Sequence, residues 1–403
     1  MLRILVEAVT HALAAMVRSS MTFPVSRACE WLPTAVFAAL PLVGLMAGPA
    51  YAPILFAMGG IIVLSRAIHG QAPQIERPLA VLAVALVLLA WTSTGWSIVP
   101  IKTVRSAAQL TAVLAGALAV LAARPLAPEK AGRLFGWMKV AIVVGAAAMV
   151  GALGFGLSSR PWKFNRGVDY TLLIAWPLLL HLWRIGDRRW LAAVLAALAI
   201  VTVLAPDGTG VVGAVAAVLV FAAARRGTAM VGNFLMGAVA AFAAAAPFAL
   251  RAAAGLRGVL GPYVKSSLIA RFEIWDYITA RVFERPLLGW GLKSGAFVPI
   301  TPAELATYRY ANAFGNYPHN QWLELWLEMG LPGAVIGLGF ALLVLARARR
   351  LPADMVPFAL AAFTMAFCIS LTSFGIDDDS WWAALAACGY LFSAVAGLHP
   401  ARK

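Results

Sequence analysis

One histidine and a handful of arginines carry most of the chemistry this sequence can offer. His319 stands in "NYPHNQWLELWLEMGLPG", residues 316–333. A histidine can act as a general base near neutral pH. It can equally be a hydrogen-bonding residue at a membrane surface, and the residue alone favours neither. Arg271 stands in "SSLIARFEIWDYITARVF", residues 266–283, which reads as a helix. At about 100° per residue, Leu268, Phe272, Trp275, Ile278 and Val282 share one arc. Glu273, Asp276, Tyr277, Arg281 and Glu284 take the other. Arg271 falls inside the apolar arc. A guanidinium there must snorkel, pair with an acid or hold an anionic ligand. A third basic group, Arg160, Lys163 and Arg166, lies in the short segment "LSSRPWKFNRG".

The elements that must position these residues are membrane helices. The 403 residues are 62% hydrophobic and 12% charged, with mean hydropathy +0.85. A soluble chain carries about twice that share of charge. Apolar runs of about 16 to 22 residues recur, long enough to cross or nearly cross a ~30 Å hydrocarbon core. They fall near 31–48, 51–68, 78–95, 104–122, 134–155, 168–185, 190–205, 209–224, 229–250, 330–346, 353–373 and 380–397. The expected fold is all-α: a polytopic membrane protein with about twelve transmembrane helices and one long outside loop bearing short helices. A membrane β-barrel would show short alternating segments instead. Cys29, Cys368 and Cys388 lie in or beside apolar runs at no metal-ligand spacing, so no metal or redox chemistry is expected.

The net charge of +15 would suggest nucleic acid in a soluble chain. Here it reads as topology, because cytoplasmic loops collect Lys and Arg. With the N-terminus inside, the inside loops "RAIHGQAPQIER", "ARPLAPEKAGR", "RIGDRR", "ARRG" and "RARRLP" and the tail "HPARK" are all basic. "GPAY", "APDG" and "FGIDDDS" on the other side have no Lys or Arg. Both termini are therefore expected in the cytoplasm. The expected division is an amphipathic interfacial N-terminus over 1–30, membrane helices over 31–250, the outside loop over 251–329, and the last three helices with a short tail over 330–403. "SIVPIKTVR", "LSSRPWKFNRG" and the long loop carry basic residues on the wrong side. Long loops cross regardless of charge, but the short Arg160–Arg166 segment needs another reason, such as an anionic ligand. In the long loop, Pro286 ends the helix and Pro318 opens the next. His319 to Met329 reads as a short interfacial half-helix with His319 in its first turn. His319 is the one histidine on the outside face.

These motifs resemble the O-antigen ligase and O-antigen polymerase superfamily. The resemblance rests on "ARFEIWDYITARVFERPLLGWGLKSGAF" followed by "PHNQWLELWLEMGLPGAVIGLGFALL", and on "NRGVDYTLLIAWPLLL" upstream. It covers roughly residues 80–400. "PDGTGVVG" departs from it, because Gly208-Thr209-Gly210 lacks the arginine that many members carry there.

The resemblance implies metal-independent glycosyl transfer at the periplasmic face of a bacterial inner membrane, with no cofactor. The implied donor is an undecaprenyl-diphosphate-linked glycan, and the implied acceptor is lipid A-core or another glycan. Membrane lipids are the remaining partner, and no nucleic acid is involved. Arg166 and Arg271 align with arginines expected to hold the diphosphate, with Arg160 and Arg281 as further candidates. His319 is expected to orient or deprotonate the acceptor hydroxyl, and Asn320 to cap or orient. Asp377, first of three aspartates, could tune His319 or bind sugar hydroxyls, or belong to a solvated turn. An O-antigen polymerase is the alternative. Its Arg-x10-Gly spacing occurs from an outside arginine only at Arg105–Gly116, inside a helix. A transporter would place ionisable groups at mid-membrane, and the spans here are nearly free of charge.

Overall fold

The computed structural model describes residues 23–68, 75–123, 126–156, 164–205, 208–260, 266–308 and 318–398. Helix makes up 83% of it with no strand among the described residues, as the composition requires. In chain order the α-helices are α1 Phe23–Ala47, α2 Tyr51–Ile68, α3 Arg77–Thr92, α4 Pro100–Leu121, α5 Pro128–Gly154, α6 Asn165–Arg184, α7 Arg188–Leu204, α8 Thr209–Ala224, α9 Thr228–Gly255, α10 Arg257–Leu260, α11 Ser266–Glu284, α12 Pro302–Ala306, α13 Gln321–Ala348, α14 Val356–Ser370 and α15 Asp379–Leu398.

Each expected apolar stretch falls on one of these helices, and α10 to α12 occupy the long segment before His319. Among the described residues, six helical segments are both long and apolar enough to cross a membrane: Arg77–Gly95, Pro100–Leu121, Pro128–Gly154, Thr228–Gly255, Gln321–Ala348 and Asp379–Leu398. The chain is thus a multi-pass membrane protein. Within the described residues α1 runs from Phe23, ahead of the expected membrane entry at 31. Residues 1–22 of the expected surface helix lie outside the described residues.

The chain divides into two compact units. One comprises Met1–Arg77, Val113–Ala214 and Asp379–Lys403; the other comprises Pro78–Ala112 and Val215–Asp378. In the first, α6 is the core. It packs on α1, α7 and α15 and is buried at every position from Gly167 to Leu182. In the second, α9 packs on α11 and α13, and α13 also meets α11 and α14.

Prolines inside these helices explain several side-chain contacts. A proline cannot donate to the carbonyl four residues back. In hydrocarbon that carbonyl must find another donor. Pro177 of α6 leaves the Leu173 carbonyl, and Cys388 Sγ lies 3.6 Å from it in donor position. Pro247 of α9 leaves the Ala243 carbonyl, and Trp326 Nε1 donates to it at 2.9 Å. Pro332 of α13 leaves the Glu328 carbonyl, and the Gly291 N–H donates to it at 2.9 Å.

That last repair belongs to a larger one. α13 is broken at Gly330, where φ is +62° and ψ −153°, a region essentially reserved for glycine. The Pro-Leu-Leu-Gly-Trp-Gly strap lies along the break. Trp290 N–H donates to the Leu327 carbonyl at 2.8 Å, and Leu331 N–H donates to the Pro286 carbonyl at 2.9 Å. A Cβ on Gly289 would stand 2.6 Å from the Leu327 oxygen, so the strap can lie this close only without one. The two motifs of the long segment are therefore two halves of one backbone pairing.

Candidate active site

Ser267, Ala270, Arg271 and Ile274 recur at helical spacing on one face of α11. They line a cavity of about 210 Å³ whose remaining lining residue is His319. The structure thus brings together the arginine that broke the apolar arc and the outside histidine, 48 positions later in the chain. Ala270 and Ser267 are small, which leaves the space open beside the guanidinium. The expected polar arc is less solvated than its composition suggests. Glu273 is 5% exposed and Tyr277 3% exposed, because α11 is packed between α9 and α13.

His319 does not belong to the first turn of the following helix. It precedes the N-cap residue Asn320, and its φ is +51°, a region that non-glycine residues rarely occupy. Its neighbours hold it there. The Pro318 carbonyl accepts from Trp275 Nε1 at 3.1 Å. Asn320 Oδ1 accepts from the Leu323 N–H at 2.9 Å, and Asn320 Nδ2 donates to the Leu371 carbonyl at 3.0 Å. Asn320 both caps α13 and ties its start to the end of α14.

Glu324 and Glu328, one and two turns further on, are 1% and 2% exposed. Glu328 accepts from the Lys293 N–H at 2.8 Å and the Gly295 N–H at 3.1 Å. Glu324 accepts from the Ile376 N–H at 2.7 Å. Two carboxylates four residues apart thus grip two loops from opposite directions in sequence. The sequence alone assigns neither of them a role. Lone carboxylates amid tryptophans and leucines were the available signal, since a buried acid must find donors.

The other nominated residues are placed differently. The Arg281 guanidinium is gripped by Glu284 and Glu304 and lies 5.2 Å from the centre of the Tyr277 ring. It is not among the residues lining the cavity. Burial opposes its charge, but the two carboxylates and Tyr277 outweigh burial and hold its pKa above the ordinary arginine value. Asp377 is not a solvated turn residue. Its side chain is 14% exposed and is ion-paired with Lys293 Nζ. Arg166 is exposed in the first turn of α6, in the unit that does not contain α11. Arg160 lies outside the described residues. Among the described residues, no three His, Cys, Asp or Glu side chains converge to hold a metal ion.

The cavity can do a limited set of things. A guanidinium offers a planar fork of donors to a phosphate, and an imidazole beside it can take a proton. Residues 191–338 match the family described as O-antigen ligase. A protein of Rickettsia conorii provisionally named polysaccharide ligase is 26% identical over 115 residues, 28% of this chain and 28% of its own. A namesake in Rickettsia typhi is 29% identical over 76 residues, 18% of this chain and 19% of that one. A third, from Rickettsia felis, is 24% identical over 115 residues, 28% of each. The chain thus spans less than a third of the length of these relatives. Arg271, His319, Asn320, Glu324 and Glu328 all fall within residues 191–338, the part of this chain that is similar to the O-antigen ligase family.

Proposed function

We propose that this protein transfers a glycan from undecaprenyl diphosphate onto lipid A-core at the periplasmic face of a bacterial inner membrane. One observation carries the reading: Arg271 and His319 line the same cavity. The family match over residues 191–338 and the ligase names of the curated relatives support it. In this reading the chain crosses the membrane about twelve times with both termini cytoplasmic, and residues 251–329 face the periplasm. The alternation of basic and neutral loops supports that orientation.

The reaction is a displacement at the sugar's anomeric carbon. The acceptor hydroxyl attacks as His319 takes its proton. The bond from that carbon to the diphosphate oxygen breaks, and undecaprenyl diphosphate departs with the electron pair. Arg271 stabilises the charge that develops on the leaving group. Arg166 is the second arginine assigned to the diphosphate, and Arg160 stands beside it in sequence. Arg281, held by two carboxylates, we assign to structure and not to substrate.

The test is the lipopolysaccharide banding pattern of a deletion strain, rescued with unaltered protein, His319→Ala or Arg271→Ala. Loss of every O-antigen band with accumulation of lipid-linked polymer is the expected result. A single repeat unit still attached to core would make the protein a polymerase. Normal banding in the deletion, with every other surface glycan unchanged, would overturn glycosyl transfer altogether.

A further inference from the structure

We infer that Trp275 is a positioning residue that presents His319 to the cavity opposite Arg271, an inference that rests on the catalytic reading of His319. The indole N–H is a donor with no acceptor counterpart, and Trp275 is 7% exposed, so its donor must be met inside the protein. It is met by the carbonyl of Pro318, the residue directly before His319, at 3.1 Å. Proline has no N–H, so that carbonyl is the only backbone group by which Pro318 can be held. On the other side of His319, Asn320 is fixed by its bonds to Leu323 and Leu371. The histidine is thus pinned at both flanks while its own backbone stays in the left-handed region at φ +51°. A free chain would leave that region readily, because a side chain there is crowded.

The second half of the argument is spacing. Trp275 follows Arg271 by four residues on α11, so the two lie on neighbouring turns of one helix. One rigid element therefore carries both the cavity's cation and the hydrogen bond that holds the histidine-bearing turn. The separation of guanidinium and imidazole is set by helix geometry and not by the long segment between them in sequence. Gly295 also lies near Pro318: a Cβ there would stand 3.9 Å from Pro318 Cδ. Trp275 touches neither cation nor imidazole in this account; it acts through Pro318.

Trp275→Phe keeps an aromatic ring in the core and removes only the donor. Turnover is read with the full-length protein in liposomes supplied with undecaprenyl-diphosphate-linked glycan polymer and lipid A-core, varying the donor. The expected result is a fall in kcat of about 10-fold, inside the ~10²-fold that a 1 Å misplacement can produce, with KM for the donor unchanged. In a His319→Ala background, Trp275→Phe should then cost nothing more. Phe272→Leu tests packing alone, because Phe272 meets the Trp275 ring edge-on at 5.8 Å and offers no donor. It should leave kcat near that of the unaltered protein. Equal losses from Trp275→Phe in both backgrounds, no loss at all, or a matching loss from Phe272→Leu would overturn the inference and leave the proposed function standing. Full activity in His319→Ala, or no transfer by the unaltered protein, would instead sink the proposed function and this inference with it.

Discussion

Arg271 and Arg281 are the same residue type on the same helix, ten positions apart, and they do different work. Arg281 sits in the last turn of α11, where the helix dipole welcomes a cation. Glu284 and Glu304 grip it, and Tyr277 lies under it. Glu304 is also the third residue of α12 and completes a capping box with Thr301. Arg281 is therefore a strut that fastens α12 to α11. Arg271 lies near the other end, among Ser267, Ala270 and Ile274, and lines a cavity with His319. What separates a strut from a site is what the distant chain delivers. A carboxylate delivered from position 304 pairs with Nη2 of Arg281; a histidine delivered from position 319 lines a cavity with Arg271.

The contrast is easiest to break at its active end. His319→Ala should lower kcat by about 10²- to 10⁴-fold, the usual contribution of a general base, with no change in melting temperature in detergent. Arg271→Ala should lower kcat/KM by about 10²- to 10³-fold, as when a preorganised charge-stabilising donor is removed. Arg271→Lys should fall between, because an ammonium keeps the charge and loses the planar fork. Near-normal transfer by Arg271→Ala would erase the distinction between the two arginines.

Arg281→Ala should show the opposite profile. Turnover per folded molecule should stay within about 3-fold, less than ~1 kcal/mol of barrier. The melting temperature should drop by about 1–2 °C, the size expected of one modest contact in a chain this long. A silenced enzyme with unchanged melting would move Arg281 from strut to site.

Much of this architecture is legible in the sequence, and the reason for the remainder is physical. Apolar run lengths located the helices, because the hydrocarbon thickness sets them. The arginine on the wrong arc and the lone outside histidine were visible because each violates a local pattern. Local pattern, however, says nothing about distant partners. Pro247 and Pro332 announce that the carbonyls of Ala243 and Glu328 will lack their helical donor. Only the folded chain reveals that Trp326 and Gly291 supply one. Glu324 and Glu328 stand four residues apart in sequence, and their donors come from the distant Ile376, Lys293 and Gly295. Arg281 stood as a further diphosphate candidate because Glu304, which pairs with it, lies 23 residues further on. Asp377 looked solvated because Lys293 lies 84 residues back.

The smallest effect separates two kinds of strut. Arg281 stays charged at any accessible pH, so its pairing fails only on the acid side. Thr301 donates to Glu304 from backbone and hydroxyl, and this, with Arg281, holds the Glu304 pKa below the usual range. That contribution is present above the unfolded carboxylate value near 4.3 and lost as pH falls through the lower folded value. Lys293 behaves in reverse. Burial opposes its charge, but Asp377 beside it outweighs burial, with Glu324 and Glu328 adding, and its pKa is raised. Its contribution is therefore fully present below the unfolded lysine value near 10.4 and lost as pH climbs through the raised folded value. Lys293→Met should melt below the unaltered protein at neutral pH, and the margin that Asp377 supplies should close only in strong alkali. Lys293→Met replaces one side chain with a Cβ by another at φ +66°, so the substitution itself introduces no new backbone clash there. A margin that vanished near neutral pH would mean that Asp377 does not hold the lysine's proton and that the pair is no strut.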